Sequence, residues 1–175
     1  MNRVMIIGGS GSGKSTVARR LGNLTALPVI HIDQIFWQPG WQERPEAERH
    51  ALLQAAVATE QWIIDGNYSS TFEMRAGRAD TVIFLDISTP RRIARVLWRT
   101  ARYFGRSRPD ITEGCPERLD ATYYDFVVNW VGGYRRRGAR ARAIAFLDRV
   151  RSHCTVHHLR SPSEVRHFLE HVDPK

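Results

Sequence analysis

Cysteine, lysine and long apolar runs are all scarce in this chain of 175 residues. Two cysteines, Cys115 and Cys154, are too few for a disulfide framework, which predicts a protein of a reducing compartment. Apolar runs such as Val4–Ile7, of four residues, fall far short of the roughly 20 residues that cross a bilayer. Because neither an apolar signal region nor a small-residue cleavage site follows Met1, we expect a cytoplasmic protein that does not bind a membrane.

The overall composition is that of an ordinary globular protein, with 42% hydrophobic and 25% charged residues. A disordered chain, a collagen-like fibre and a small disulfide scaffold are therefore excluded. Since a domain spans roughly 150 residues, residues 1–175 are predicted to form a single domain.

Positive charge is concentrated in one part of the sequence. Between Ser88 and Arg142, 13 arginines face 5 acidic residues, so this segment carries the whole net charge of +8. The only lysines are Lys14 and Lys175, a bias that a GC-rich genome also produces. Guanidinium groups bind phosphate oxygens bidentately. The segment is therefore predicted either to bind a polyphosphate or to lie on nucleic acid.

Short apolar segments alternate with helical patterns along the chain. The predicted strands span residues 4–7, 28–33, 62–66, 81–86 and 155–159, and the main predicted helices span 15–24, 45–60, 90–104, 119–130 and 141–151. This alternation predicts a three-layer α/β fold in which helices flank a five-stranded parallel sheet. Ligands of such sheets bind beyond the carboxyl ends of the strands, where Gly8, Asp33 and Asp65 are expected.

The segment Gly8–Ser15 fits the phosphate-binding pattern G-x-x-x-x-G-K-[ST] at every fixed position, between a predicted strand and a predicted helix. In such a P-loop, glycines let backbone N–H groups point at an anion, and the helix N-terminus adds a partial positive charge. The motif predicts a P-loop NTPase fold that binds ATP and Mg²⁺, with Lys14 on the β- and γ-phosphates and Ser15 on the metal. The predicted nucleotide-binding residues of the loop are Gly8, Gly9, Ser10, Gly11, Ser12, Gly13, Lys14, Ser15 and Thr16.

A P-loop also needs an acidic residue at a neighbouring strand end to hold the magnesium, usually through water. Asp65, Asp86 and Asp33 all stand at such positions in the predicted sheet. Asp65 is favoured as the metal ligand beside Ser15, and Asp86 is the alternative unless it caps a turn or a helix.

The P-loop, the strand-end pair Asp65-Gly66 and the arginine-rich segment resemble the adenylate kinase-like superfamily of small P-loop kinases. A closer resemblance, over most of the chain, is to the bacterial DNA topology modulation proteins, an adenylate kinase-related group. The matching segments are Gly8–Thr16, His31–Asp33 with Trp37 and Trp41, Trp62–Tyr68, Arg108–Asp110 and Glu113–Glu117. The resemblance implies a phosphotransferase with a small arginine-rich lid over about residues 105–118.

Two departures from adenylate kinases leave the acceptor open. Ser10 and Ser15 stand where adenylate kinases have a proline in the loop and a glycine after the lysine. The run Asn67-Tyr68-Ser69 replaces the phenylalanine-proline-arginine run that helps those enzymes recognise a nucleoside monophosphate. A nucleoside monophosphate acceptor is therefore not implied.

Four arginines, Arg95, Arg99, Arg102 and Arg106, recur at spacings of 4, 3 and 4, which places them on one face of a predicted helix. The resemblance implies that Arg95 stacks on adenine and that Arg99, Arg106 and Arg108 are catalytic, the last two as lid arginines that close on the γ-phosphate. Neutralising charge is the main catalytic task in phosphoryl transfer. A solvated basic helix face is the alternative interpretation.

Asp33 is expected either to orient or deprotonate an acceptor hydroxyl, as the equivalent acid does in related small-molecule kinases, or to cap a helix or turn. Trp37 and Trp41 either stack on a planar substrate or pack at the edge of the site. The basic run at residues 135–142 is either a solvated surface or a contact for phosphate or nucleic acid. The sequence thus favours a kinase that moves the γ-phosphate of ATP to a small molecule. The alternative is a nucleotide-binding regulator or DNA-binding topology modulator without kinase activity.

Overall fold

The computed structural model describes residues 1–173, so residues 174–175 of the predicted domain lie outside the described part. The strands in chain order are β1 (Arg3–Gly8), β2 (Val29–His31), β3 (Trp37–Gln38), β4 (Gln42–Glu43), β5 (Trp62–Asp65), β6 (Thr81–Leu85) and β7 (Thr155–Leu159). Strands β3 and β4 form an antiparallel hairpin, and the other five form a parallel sheet in the order β2-β5-β1-β6-β7. The predicted α/β fold with a five-stranded parallel sheet is confirmed.

Helices connect the parallel strands and cover both faces of the sheet. They are α1 (Lys14–Thr25), α2 (Ile32–Phe36), α3 (Glu46–Ala58), α4 (Phe72–Ala76), α5 (Thr89–Arg102), α6 (Ala121–Asp125), α7 (Ala139–Val150) and α8 (Pro162–Glu170). Short 3₁₀ turns at Ser69–Thr71 and Gly132–Tyr134 and a π-helical segment at Phe126–Val131 complete the regular structure. Among these helices of residues 1–173, none combines the length and the apolar character that crossing a bilayer requires.

The central strand β1 separates two hydrophobic cores. Its residues Val4 and Ile6 belong to a core that includes side chains of α1 and α8, and Met5 and Ile7 belong to a second core that includes side chains of α3, α4 and α7. This follows from the strand geometry, because successive side chains of a strand point to opposite faces of the sheet. All four side chains are fully buried, so β1 holds the loop that follows it at a fixed place on the sheet edge.

Two predicted elements differ clearly from the structure in their extent. The strand predicted at 28–33 ends at His31, and Asp33 lies in the first turn of α2 instead of at a strand end. The helix predicted at 119–130 is a single turn, α6, followed by the π-helical segment. Helix α6 begins where the Asp120 side chain accepts a hydrogen bond of 2.9 Å from the N–H of Tyr123, which satisfies a free donor of the first turn.

The helix predicted at 90–104 is α5, which ends at Arg102. The chain turns after it, because the N–H of Arg106 donates to the carbonyl of Tyr103 at 2.8 Å and Gly105 adopts a φ of 71°. The prediction that Arg106 shares a helix face with Arg95 and Arg99 is therefore wrong. Arg106 is exposed and stands in the loop beyond the helix.

Candidate active site

The P-loop connects β1 to α1 and has a conformation that glycine favours. Gly8, Gly11 and Gly13 have φ values of 149°, 79° and 99°, in the region that L side chains rarely adopt. A Cβ on Gly8 would also lie 2.6 Å from the carbonyl oxygen of Leu85, so a side chain there would clash with the neighbouring strand. The loop packs this closely because parallel strands β1 and β6 end side by side.

The hydroxyl of Ser12 supports a phosphate site in this loop. It is buried and, within residues 1–173, has no hydrogen-bond partner. Such a donor costs free energy unless a ligand or water satisfies it. Since it lies in the phosphate-binding segment, a polyphosphate suits the residues that are present.

Two arginines of α5 hold the backbone of the P-loop. Arg95 donates from Nη1 to the carbonyl of Ser12 at 2.9 Å, and Arg92 donates to the carbonyl of Ser10 at 3.4 Å. Arg92 is buried and lies so close that a Cβ on Gly9 would be 2.2 Å from its Nη1. The sequence analysis missed Arg92, although its position four residues before the buried Val96 places it on the inner face of the helix. The stacking of Arg95 on adenine stays a prediction.

The residues predicted to hold the metal lie together at the start of α1. The Ser15 hydroxyl donates to Oδ2 of Asp65 at 2.9 Å, and Asp65 is buried. The other carboxylate oxygen of Asp65 is bonded to Nδ1 of His31. Burial alone would lower the pKa of His31, but the bond and charge of Asp65 outweigh it, and the pKa is raised. Hydroxyl and carboxylate oxygens are the ligands that Mg²⁺ prefers, so this pair fits the predicted metal.

Asp86, the alternative metal ligand, is bound by protein on both oxygens. Arg140 donates to it in bidentate fashion, with distances of 2.7–2.9 Å, and Nε2 of His158 lies 3.0 Å away. Burial raises the pKa of Asp86, yet the bonds from Arg140 and His158 outweigh this and hold the pKa below its usual value. Both acids are bound on both oxygens, but Asp65 contacts Ser15, the other predicted ligand, whereas Asp86 is paired with the cation Arg140. This contact favours Asp65 for the metal, and that role stays a prediction.

Lys14 and Asp33 meet at the same end of the sheet. Burial lowers the pKa of the Lys14 ammonium, and the nearby carboxylates of Asp65 and Asp33 oppose that shift. Desolvation by the surrounding protein raises the pKa of Asp33, against the charges of Arg108 and Lys14. Half of the Asp33 side chain (51%) is still accessible, so it can reach a bound molecule. A carboxylate with a raised pKa near the lysine that is predicted to bind phosphate would be suited to accept a proton from a hydroxyl group.

The predicted lid, residues 105–118, rests on the segment that follows Asp33. Gln34 donates from Nε2 to the carbonyl of Pro109 at 3.1 Å, and Trp41 donates from Nε1 to the carbonyl of Pro116 at 2.9 Å. Thr112 in turn donates to the carbonyl of Trp37 at 2.6 Å. Trp37 and Trp41 also contact each other edge to face at 5.4 Å. Trp37 and Trp41 thus form part of the contact between the β3–β4 hairpin and the lid.

The lid arginines have different positions. Arg108 is buried, with Nη2 3.7 Å from Asp33 and Nη1 3.6 Å from Asp110. Arg99, on α5, is paired with Glu117 of the lid at 3.3 Å. Arg106 remains exposed in the loop after α5, and its approach to the γ-phosphate stays a prediction.

Four arginines of the basic run at 135–142 form hydrogen bonds or ion pairs with other residues of the protein. Arg140 binds Asp86, as described above, and Arg135 lies 3.9 Å from the same carboxylate. Arg137 donates to the carbonyl of Trp130 at 2.7 Å, and Arg142 donates to the carbonyl of Arg137 at 2.8 Å. These contacts give the run a role in packing the segment beside the P-loop, and nucleic-acid contact stays a prediction that is not favoured.

The sequence matches no protein-family model and no curated relative. Solved structures do match: shikimate kinase from Acinetobacter baumannii in complex with shikimate covers 97% of this chain and 89% of its own, at 14% identity and a TM-score of 0.59. The match to shikimate kinase from Bacteroides thetaiotaomicron covers 97% of this chain and 94% of that enzyme, at 14% identity and a TM-score of 0.54. The match to an unliganded sugar kinase from Janibacter sp. HTCC2649 covers 97% of this chain and 93% of that protein, at 15% identity and a TM-score of 0.50. The chain has the fold of small P-loop kinases.

The fold indicates the edge of the sheet at which a ligand would bind. In open α/β sheets, ligands bind at the carboxyl ends of the strands, where this chain carries its P-loop, Asp33 and Asp65. At such low identity the neighbours show the fold alone. They do not show the finer resemblance to the DNA topology modulation proteins, which stays a prediction.

Proposed function

We propose that the protein is an ATP- and Mg²⁺-dependent phosphotransferase that moves the γ-phosphate of ATP to a hydroxyl of a small molecule. The observation that carries this proposal is the convergence of Lys14, Asp33 and the Ser15–Asp65 pair at one end of the sheet. A nucleotide-binding module alone needs no accessible carboxylate within electrostatic range of the P-loop lysine. The kinase fold of the structural neighbours supports the same reaction class.

The P-loop, Asp33, the arginines and the lid have different roles in the proposed reaction. The P-loop amides and Lys14 bind the phosphates of ATP, and Ser15 and Asp65 would hold the magnesium, which neutralises phosphate charge when bound. Asp33 orients the acceptor hydroxyl and accepts its proton. Arg99 and Arg108 bind the negative charge of the phosphoryl group during transfer. The lid excludes water, which would otherwise consume ATP by hydrolysis.

The acceptor is expected to be a small polyhydroxylated compound or hydroxy acid. One structural neighbour is described in complex with shikimate and another is a sugar kinase, and both classes carry hydroxyl groups. The segment that follows Asp33 would select among such compounds, because it forms one wall with the lid.

The test supplies the protein with Mg²⁺, γ-labelled ATP and a panel of acceptors: nucleotides, nucleosides, sugars, hydroxy acids and aminoglycosides. Transfer of label to one class, and its loss in Lys14→Ala, is the expected result. Label that appears only as free phosphate would contradict the kinase proposal. A titration of DNA binding against salt would then test the regulator, since binding through phosphates weakens steeply as salt rises.

A further inference from the structure

Glu117 joins the lid to helix α5. Its backbone closes the base of the lid, because its N–H donates to the carbonyl of Arg106 at 3.0 Å and its carbonyl accepts from the N–H of Gly105 at 2.9 Å. These bonds need no particular side chain at position 117. They therefore leave unexplained why this position holds a carboxylate whose side chain is only 4% exposed.

The side-chain carboxylate of Glu117 forms ion pairs with two arginines. Oε1 of Glu117 lies 3.0 Å from Nε of Arg108 and 3.3 Å from Nε of Arg99, and within residues 1–173 none of these three atoms forms a hydrogen bond. Its other oxygen, Oε2, accepts a hydrogen bond of 2.8 Å from the hydroxyl of Thr100. One arginine comes from α5 and the other from the lid, so a single carboxylate lies between two guanidinium groups from different elements.

The outer nitrogens of these two arginines form no hydrogen bond within residues 1–173, and the Arg108 side chain is 5% exposed. Those of Arg108 are 3.6–3.7 Å from Asp110 and Asp33, beyond hydrogen-bond distance. Within residues 1–173, no hydrogen bond from the outer nitrogens of Arg99 is formed either. Burial lowers the pKa of Arg99, and the adjacent charge of Arg108 lowers it further. The carboxylates of Asp33 and Asp110 balance charge on this side of Arg108, and a phosphoryl group in transfer would compete with them for the outer nitrogens.

We propose that Glu117 is a positioning residue, which fixes Arg99 and Arg108 at Nε so that their outer nitrogens bind the phosphoryl group as it leaves ATP. The inference rests on the proposed phosphotransferase function. Glu117 itself touches neither ATP nor acceptor and exchanges no proton. Without its charge, each guanidinium can turn away from the shared position, and a displacement of about 1 Å can lower a rate by about 100-fold.

The test uses Glu117→Gln, which keeps the size of the side chain and an oxygen for Thr100 but loses the charge that holds both Nε atoms. The probe is ADP with aluminium fluoride and magnesium chloride, a mimic of the transferring phosphoryl group, measured by titration calorimetry. We expect Glu117→Gln to bind the probe about 100-fold more weakly and ADP alone as the unaltered protein does. Glu117→Asp, which restores the charge, should recover at least tenfold of this loss.

A matched control and a second background separate positioning from a structural role. Glu113→Gln removes an exposed glutamate of the same lid and should change neither affinity. In a protein that carries Arg99→Lys and Arg108→Lys, adding Glu117→Gln should weaken probe binding by no more than about threefold, because a lysine has no Nε fork to hold.

Three results would overturn the proposal: unchanged probe binding in Glu117→Gln, an equal loss of ADP binding, or the full 100-fold loss in the lysine background. The proposed function is judged separately by the acceptor panel. If the unaltered protein binds the probe yet phosphorylates no acceptor, only the phosphotransferase proposal fails, because the probe reports on Glu117 without an acceptor.

Discussion

The P-loop side of the site and the lid side are assembled in different ways. The P-loop is one continuous segment, Gly8–Ser15, whose conformation is set by its glycines and by the strand that precedes it. The lid side joins segments 75 residues apart, through bonds such as those of Gln34 to Pro109 and Trp41 to Pro116. A local pattern in the sequence can therefore specify the first side. The second side depends on tertiary contacts that no short motif records.

The largest effect is expected on the P-loop side. Lys14→Ala should lower transfer by more than about 10³-fold, since it removes the cation that binds the transferred phosphate. Because burial disfavours the charged form of Lys14, loss of the ammonium should not lower the thermal midpoint. Turnover and a melting curve on the same sample check both points. Turnover like that of the unaltered protein would refute the P-loop assignment.

On the lid side, Arg108 and Arg106 form a natural pair for comparison. Arg108→Ala removes a buried guanidinium beside Asp33 and should lower kcat by about 10²- to 10³-fold. Arg106→Ala removes an exposed side chain beyond the end of α5 and should change kcat by less than about threefold. Steady-state kinetics with the acceptor found in the panel decide between them. A large loss in Arg106→Ala would show that the lid moves further during catalysis than this structure indicates.

Asp33 tests the proton-transfer step where the two sides meet. Asp33→Asn should lower kcat by about 10²-fold and leave the affinity for ATP nearly unchanged, because the proposed role concerns the acceptor alone. Since the pKa of Asp33 is raised, the unaltered enzyme should lose activity on acidification above the usual range of an aspartate. That acidic limb should be absent from the pH profile of the variant. An unchanged rate with every acceptor would remove Asp33 from the mechanism.

Prediction from the sequence succeeded for the strands and the P-loop and failed for contacts between distant segments. Short unbroken apolar runs such as Val4–Ile7 identify the strands, and the glycine pattern identifies the loop, because both signals are local. Arg92 was missed because the sequence does not show that Val96, one turn later on the same face, lies in the core, so Arg92 could not be told from a solvated arginine. The sequence also assigned no role to His31 or Glu117, because their partners cannot be identified from a local pattern. His31 is bonded to Asp65, which is distant along the chain, and Glu117 is paired with Arg99, which lies on another element.

The smallest effect on transfer is expected for Asp86, the acid whose strand-end position resembles that of Asp65. Asp86→Asn removes the charge bound by Arg140 and His158, which should cost about 2 kcal/mol of stability and lower the thermal midpoint by about 5 °C. Because folding lowers the pKa of Asp86, its contribution to stability is complete above the unfolded pKa and is lost as the pH falls through the folded one. The difference in midpoint between the two proteins should therefore shrink when the pH is lowered from roughly 6 to roughly 3.

Asp148→Asn, at an exposed ion pair at the end of α7, is the matched control and should show no such difference at any pH. A Mg²⁺-dependent loss of nucleotide binding in Asp86→Asn, with stability unchanged, would instead make Asp86 the metal ligand and reverse the assignment of the two strand-end acids.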